Sequence, residues 1–343
     1  MAVPSIKRLI EFRRCQKCGQ IEKASTGEAV VKGEHSDKCD NEQEKWTVFT
    51  AADDWKPKVD QAPPSEIIIP TSSLGDDIAN YSIGFVKFLH HNGSEDAVCA
   101  GSGTLVRVGK VHGILTATHV LENLPSSGQV GLAQFFGRTV HFRKQTFNMD
   151  HAETIMVGGK GNAPSGPDLG FLRLATKDAA WLAAIQSFYN MQLHSSDHTK
   201  EPPAPNSVYV IVGAIDERTK NLPAERPGEY RKGFEAIITD SNMMWFGKNG
   251  GFTLVGMKPK SYPDFSLPGD FGGTSGGGLW QIYFNAKDGK VVVVAKHLIG
   301  VPFHQGAIER DGRRTLTCHS APDIFEHLLQ KIVEKWPDQT SEA

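Results

Sequence analysis

The stretch GDFGGTSGGGLW, residues Gly269 to Trp280, sets five glycines in the seven positions that surround and include Thr274 and Ser275. Three structures would use such a run: a flexible linker, a phosphate-cradling loop, or a turn that exposes a nucleophilic serine beside bare backbone N–H groups. A linker needs no bulky flanks, yet Phe271, Leu279 and Trp280 border this one. A phosphate loop of the Walker type ends in Gly-Lys-Ser/Thr, which is missing. The embedded Asp-Phe-Gly stands without the rest of a kinase signature. The nucleophile reading remains, and it requires a histidine base and a carboxylate elsewhere in the chain.

Both are present in suitable settings. GILTATHVL places His119 at the end of a β-rich run after small residues, and PDLGFLRL places Asp168 at the entrance of another apolar strand. Taken singly, each has a plain structural meaning: a core histidine, a strand-start cap, a serine in a glycine turn. In combination and in this order they specify a base, its orienting acid and a nucleophile. At these residues the chain resembles the trypsin-like (chymotrypsin-fold) serine peptidases of the intracellular, bacterial type. That family carries its histidine in TAAH, its aspartate in D-hydrophobic-x-hydrophobic-L and its serine in GDSGG. Here the three read T-A-T-H, D-L-G-F-L and G-T-S-G-G, with 49 residues from His119 to Asp168 and 107 from Asp168 to Ser275. GSGTLV, residues Gly101 to Val106, also looks like the family, and the resemblance runs from about Tyr81 to Trp336.

The resemblance implies two six-stranded antiparallel β-barrels with the triad His119, Asp168 and Ser275 in the cleft between them. It also implies an oxyanion hole made by the backbone N–H groups of Gly273 and Ser275. It puts Asp270, Phe303, His304 and Gln305 near the substrate pocket. Asp270 either faces that pocket, favouring a basic side chain, or is a solvated turn aspartate. Pro302 cannot donate a ladder hydrogen bond, and Gln305 is larger than the glycine often found there, which argues against a deep open pocket. Many secreted relatives have aspartate before the serine, where it binds a newly cleaved N-terminus. This chain has Thr274 there and about eighty residues ahead of the barrel, so activation by N-terminal insertion is not expected. Val120 follows the histidine where such relatives have cysteine, which agrees with a reducing compartment.

The rest of the chain is read from its own pattern. Short β-rich runs recur from Tyr81 onward between Gly, Pro, Asn and Asp turn signals, which predicts an all-β sandwich or barrel. Two segments break that pattern. DAAWLAAIQSFYNMQL predicts a helix between the β-rich halves. PDIFEHLLQKIVEKW places Ile324, Phe325, Leu328, Leu329, Ile332, Val333 and Trp336 at roughly helical spacing, which predicts a docked amphipathic helix. The expected organisation is a small module over 1–50, a linker over 51–80 rich in proline and acid, a peptidase domain over 81–336 and a tail over 337–343.

In the first module Cys15-x2-Cys18-x16-His35-x3-Cys39 supplies four ligands at zinc-finger-like spacing, implying a structural zinc with no open coordination position. The other reading is free thiols beside an incidental histidine. No cofactor is expected for catalysis. Thirty-seven basic and thirty-nine acidic side chains leave a formal charge of −2, which gives no general reason to bind nucleic acid or an anionic membrane. No apolar stretch reaches the length of a signal peptide or a membrane span, so a soluble cytoplasmic protein is expected. Five cysteines, an odd number, with three in the first forty residues, do not suggest a disulfide framework. The function expected is a serine endopeptidase acting on a protein or peptide, with the N-terminal module recruiting a protein partner. Two other classes stay open: an inactive peptidase-fold scaffold, and a nucleic-acid-binding regulator acting through the N-terminal module, where Glu22, Glu28, Glu34 and Asp37 dilute the basic residues.

Overall fold

The computed structural model of the protein describes residues 9–15, 21–23, 29–31, 46–52, 77–91, 94–136, 139–141, 145–158, 166–222, 231–262, 266–287 and 290–341. They fall in two units, Met1–Ile67 and Ile68–Ala343. In the first, β1 (Leu9–Cys15), β2 (Ile21–Lys23), β3 (Ala29–Val31) and β4 (Trp46–Ala52) form an antiparallel sheet in the order β3-β2-β1-β4. β4 runs two residues into the segment expected as linker. The expected metal ligands Cys18, His35 and Cys39 lie outside the described residues, as does the side chain of Cys15.

The second unit is all-β apart from short helices. Its first half holds β5 (Ser82–His91), β6 (Ser94–Val108), β7 (Val111–Thr116), β8 (Gln129–Phe136), β9 (Thr139–His141), β10 (Thr146–Asn148), β11 (Glu153–Val157) and β12 (Leu169–Arg173). Its second holds β13 (Tyr189–Asn190), β14 (Asn206–Leu222), β15 (Arg231–Asn249), β16 (Phe252–Pro259), β17 (Gly278–Lys287), β18 (Lys290–Gln305) and β19 (Leu316–Ser320). Pairing runs β11-β12-β7-β6-β5-β8-β9-β15-β14-β17-β18-β19-β16, and β16 also pairs with β15. The last six strands therefore close into a ring, which leaves them no free edge. The first six, β11 to β8, form a run for which no closing pair occurs among the described residues.

β7 and β12 read as near-continuous apolar runs because almost every residue in them is buried. Between the halves Trp280 is fully buried, with the rings of Tyr81 and Tyr189 at 5.4 and 5.3 Å. Ile78 and Ala79 already belong to this core, ahead of the expected domain start at Tyr81.

His119 sits in α1 (Thr118–Asn123). The helix expected over DAAWLAAIQSFYNMQL is shorter: α2 spans Thr176–Ala183. Beyond it the Gln186 amide donates to Ser82 O, Ser187 N–H donates to Asn80 O, and Tyr189 pairs in parallel with Val106 of β6. The apolar residues that suggested one long helix are thus divided. Ala179 and Leu182 face inward from α2, whereas Tyr189 enters the core from a strand and Met191 from the turn after it.

The C-terminal helix forms as the spacing requires, through a π-helical turn at Asp323–Leu328 into α3 (Leu329–Lys335). Ile324, Phe325, Leu328, Leu329, Ile332 and Trp336 are buried, but Val333 is 37% exposed. The expected tail is corrected in part. α4 (Pro337–Thr340) is packed, with Thr340 buried and Gln339 O accepting the Lys110 N–H at 2.8 Å. Backbone groups that cap the β6–β7 turn hold these residues in place.

The docking face yields a contrast. Leu328 is fully buried, and Leu328→Ala is expected to cost about 2–5 kcal/mol. Val333→Ala on the exposed side is expected to stay within about 0.5 kcal/mol. Urea midpoints measured at equal slope check both values.

Candidate active site

The register of two strands brings the histidine and the aspartate together. β7 and β12 pair antiparallel with Gly170 opposite Thr116 and Phe171 opposite Leu115. Continuing that register two residues past Thr116 and two before Gly170 lays Asp168 beside Thr118 and the start of α1. There the Thr118 hydroxyl donates to Leu169 O at 2.8 Å, and the His119 backbone N–H donates to Asp168 Oδ1 at 2.9 Å. The ring contact, His119 Nδ1 to Asp168 Oδ2, is 2.5 Å. An ionised carboxylate can only accept, so Nδ1 carries the proton and Nε2 presents a lone pair. The His119 side chain is 12% exposed and that of Asp168 4%: the imidazole is reachable, while the carboxylate bonded to it is shielded. Asp168 spends its own N–H on Nε2 of His319, at 2.8 Å.

The glycine-rich turn is fixed to the first half by Ser102, in GSGTLV. Ser102 N–H donates to Ser275 O at 2.8 Å. Its hydroxyl donates to Gly273 O at 2.6 Å and accepts the Ala214 N–H at 2.7 Å, and its carbonyl accepts the Thr116 hydroxyl at 2.6 Å. Gly273 has φ +89°, a conformation that disfavours any side chain. A Cβ on Gly276 would lie 2.0 Å from Thr116 Oγ1, so only glycine allows the turn to sit so close to β7. Thr274 is buried, with its hydroxyl near Ala214 O at 3.3 Å. Gly272 O accepts the Asp216 N–H, and Pro302 O accepts the Gly276 N–H. Among the described residues, neither the Gly273 nor the Ser275 N–H is used in an internal hydrogen bond.

His119, Gly273, Thr274 and Ser275 line one cleft of about 350 Å³, together with Phe303, His304 and Gln305. The Ser275 hydroxyl contacts Phe303 O at 3.5 Å. Among the described residues no hydrogen bond joins it to His119, although both line the cleft. Burial, with the nearby His119 adding, lowers the His304 pKa below its ordinary value, so His304 is neutral near pH 7. Asp270 is not among the lining residues. Its carboxylate accepts the Gly272 N–H at 2.6 Å and the Gln305 amide at 2.8 Å. The amide and then that N–H lower its pKa. Gln305 in turn accepts the Phe271 N–H, and Glu217 accepts the N–H groups of Gly269 and Asp270. Asp270 and Gln305 brace the rim of the turn.

A second nucleophile type lies close by. A Cβ on Gly273 would meet Cys99 Sγ at 2.9 Å. Burial pushes the Cys99 thiol up to about 12, so it stays protonated and unreactive near neutral pH.

Ser102, His319 and Asp323 did not stand out in the sequence as site residues. The GSGTLV motif pointed to Ser102 without its role. The pattern His-x3-Asp at a strand-to-helix junction is the signal that was there for the other two.

No family model matches the chain, and no curated protein matches it. Among solved structures it is similar to a catalytically active tobacco etch virus protease complexed with product, at 12% identity and a TM-score of 0.35, over 79% of this chain and 82% of that one.

Proposed function

We propose that the protein is a serine endopeptidase with a chymotrypsin-like body, in which His119, Asp168 and Ser275 act together. One observation carries the reading: the doubly hydrogen-bonded His119–Asp168 pair opens onto the cleft that holds Ser275 and two unspent backbone N–H groups. The closed six-stranded ring beside a six-stranded run supports the two-barrel form.

A serine hydroxyl is a weak nucleophile at neutral pH, so Nε2 of His119 takes its proton as Oγ attacks the peptide carbonyl. To do this the hydroxyl turns from Phe303 O towards His119. Such contacts are often loose without substrate and tighten when it binds. Asp168 holds the imidazole in its Nδ1–H tautomer and stabilises the imidazolium. The tetrahedral oxygen receives the Gly273 and Ser275 N–H groups, each worth about 3 kcal/mol in the transition state. The imidazolium then protonates the leaving amine, and water enters by the same route to free the acyl-serine.

With Asp270 braced against Gln305, discrimination at the pocket falls to Phe303, His304 and Gln305, not to a free carboxylate. The N-terminal module, with Cys15, Cys18, His35 and Cys39 as zinc ligands, contributes recognition of a protein substrate or partner and takes no part in the chemistry.

Three outcomes are expected. Ser275→Ala and His119→Ala each abolish labelling by a fluorophosphonate probe and lower peptide hydrolysis by about 10³-fold or more, with little further loss in the double variant. An intact protein that never labels is instead a peptidase-fold scaffold. Ser102→Ala frees Gly273 O and Ala214 N–H, and should lower kcat about ten-fold or more with little change in KM, because it loosens transition-state donors. The purified protein should hold close to one zinc, and Cys18→Ser should release it while small-peptide cleavage survives. Metal analysis alongside the peptide assay checks this.

A further inference from the structure

Asp168 orients His119, but its own position is set by a second histidine–aspartate pair, behind it in the core. His319, on β19, and Asp323, in the first turn of the C-terminal helix, are both fully buried, with Nδ1 of His319 2.7 Å from Asp323 Oδ2. The other ring nitrogen, Nε2, lies 2.8 Å from the Asp168 backbone N. The other oxygen of Asp323 accepts the Thr253 N–H at 2.8 Å.

These bonds leave one proton arrangement. The Asp168 N–H is a donor, so Nε2 of His319 must be bare, and the proton of a neutral ring sits on Nδ1, where only Asp323 can take it. The oxygens of Asp323 are committed to Thr253 and His319. The rings of Phe303, at 4.7 Å, and Phe252, at 5.8 Å, pack against the imidazole. A Cβ on Gly166 would reach 3.3 Å from its Cε1. The His319 side chain is fully buried among them.

We propose that His319 and Asp323 form a positioning dyad that fixes the Asp168 carboxylate, and through it the His119 tautomer, from inside the second half of the molecule. This rests on the reading of Asp168 as the residue that orients His119. The chain of bonds runs from Thr253 through Asp323, His319 and Asp168 to His119, and every donor in it has one acceptor. Without Nε2 of His319 the buried Asp168 N–H is orphaned. The start of β12 must then move to satisfy it, carrying the carboxylate away from the imidazole.

The test compares His319→Leu, His319→Gln and Asp323→Asn in the full chain. One readout is the low-field NMR resonance of the His119 Nδ1 proton, identified by its loss in His119→Gln; it needs no turnover. The other is kcat and KM for a small peptide ester, normalised to folded protein. In His319→Leu the resonance should shift or vanish and kcat should fall about ten-fold or more, with KM within about two-fold. In His319→Gln the side-chain oxygen can accept the Asp168 N–H, and most of both signals should return. Asp323→Asn offers one oxygen to two donors and favours the wrong ring tautomer, so it should resemble His319→Leu. It also decides the matter if His319→Leu does not fold.

An unchanged resonance in folded His319→Leu or Asp323→Asn overturns the dyad, as does a glutamine variant no better than leucine. A wild-type protein without esterase activity would instead overturn the proposed function. The resonance would then still judge whether His319 holds Asp168 and His119 together.

Discussion

Ser102 makes four short hydrogen bonds, and the candidate site depends on them. Through them one residue of β6 joins β7, β14 and the glycine-rich turn. Ser102 is fully buried, and leaving one of its polar groups unpaired would cost about 1–3 kcal/mol. The turn therefore has one favourable resting place. The peptides that carry the Gly273 and Ser275 N–H groups are held by their own carbonyls: Gly272 O accepts the Asp216 N–H and Thr274 O accepts the Gly277 N–H. Thr274, at the middle of the turn, packs on Gly213 and Ala214.

How much of this was legible in the sequence depends on whether a residue's chemistry declares itself locally. His119, Asp168 and Ser275 do so, because each sits at an element end flanked by small or apolar residues. The β7–β12 register that unites the first two follows from two buried apolar runs. The role of Ser102 was hidden, since the groups its hydroxyl serves are 171 and 112 residues away. Asp323 reads as an ordinary acid in the first turn of a helix, a position where the helix dipole alone would favour it. Only its full burial shows a different use. The segment after α2 misled because helical and extended segments can both bury an apolar run, and the choice was made by the Gln186 and Ser187 hydrogen bonds to distant backbone. Nothing in the spacing of Pro337 to Thr340 announced that the C-terminal residues cap the β6–β7 turn.

The rim of the cleft shows how a charged residue near a binding site can be structural. Asp270 lies beside the cleft without lining it, and its Oδ1 accepts both the Gly272 N–H and the Gln305 amide. Arg314 adds a further brace by donating to Gly269 O and Gly306 O. A cationic side chain entering the cleft would have to compete with these contacts, and disturbing them loosens the same turn that carries Gly273.

The position of β19 and Asp323 along the chain bears on how the molecule is made. During synthesis Ser275, His119 and Asp168 all leave the ribosome before residue 316. At that stage β18 and β16 have no strand between them, so the ring is open, and the Asp168 N–H lacks its acceptor. Contacts of such long sequence separation form late, after costly loop closure. A nascent chain thus carries His119, Asp168 and Ser275 before the strand and the buried His319–Asp323 pair that hold Asp168 from behind.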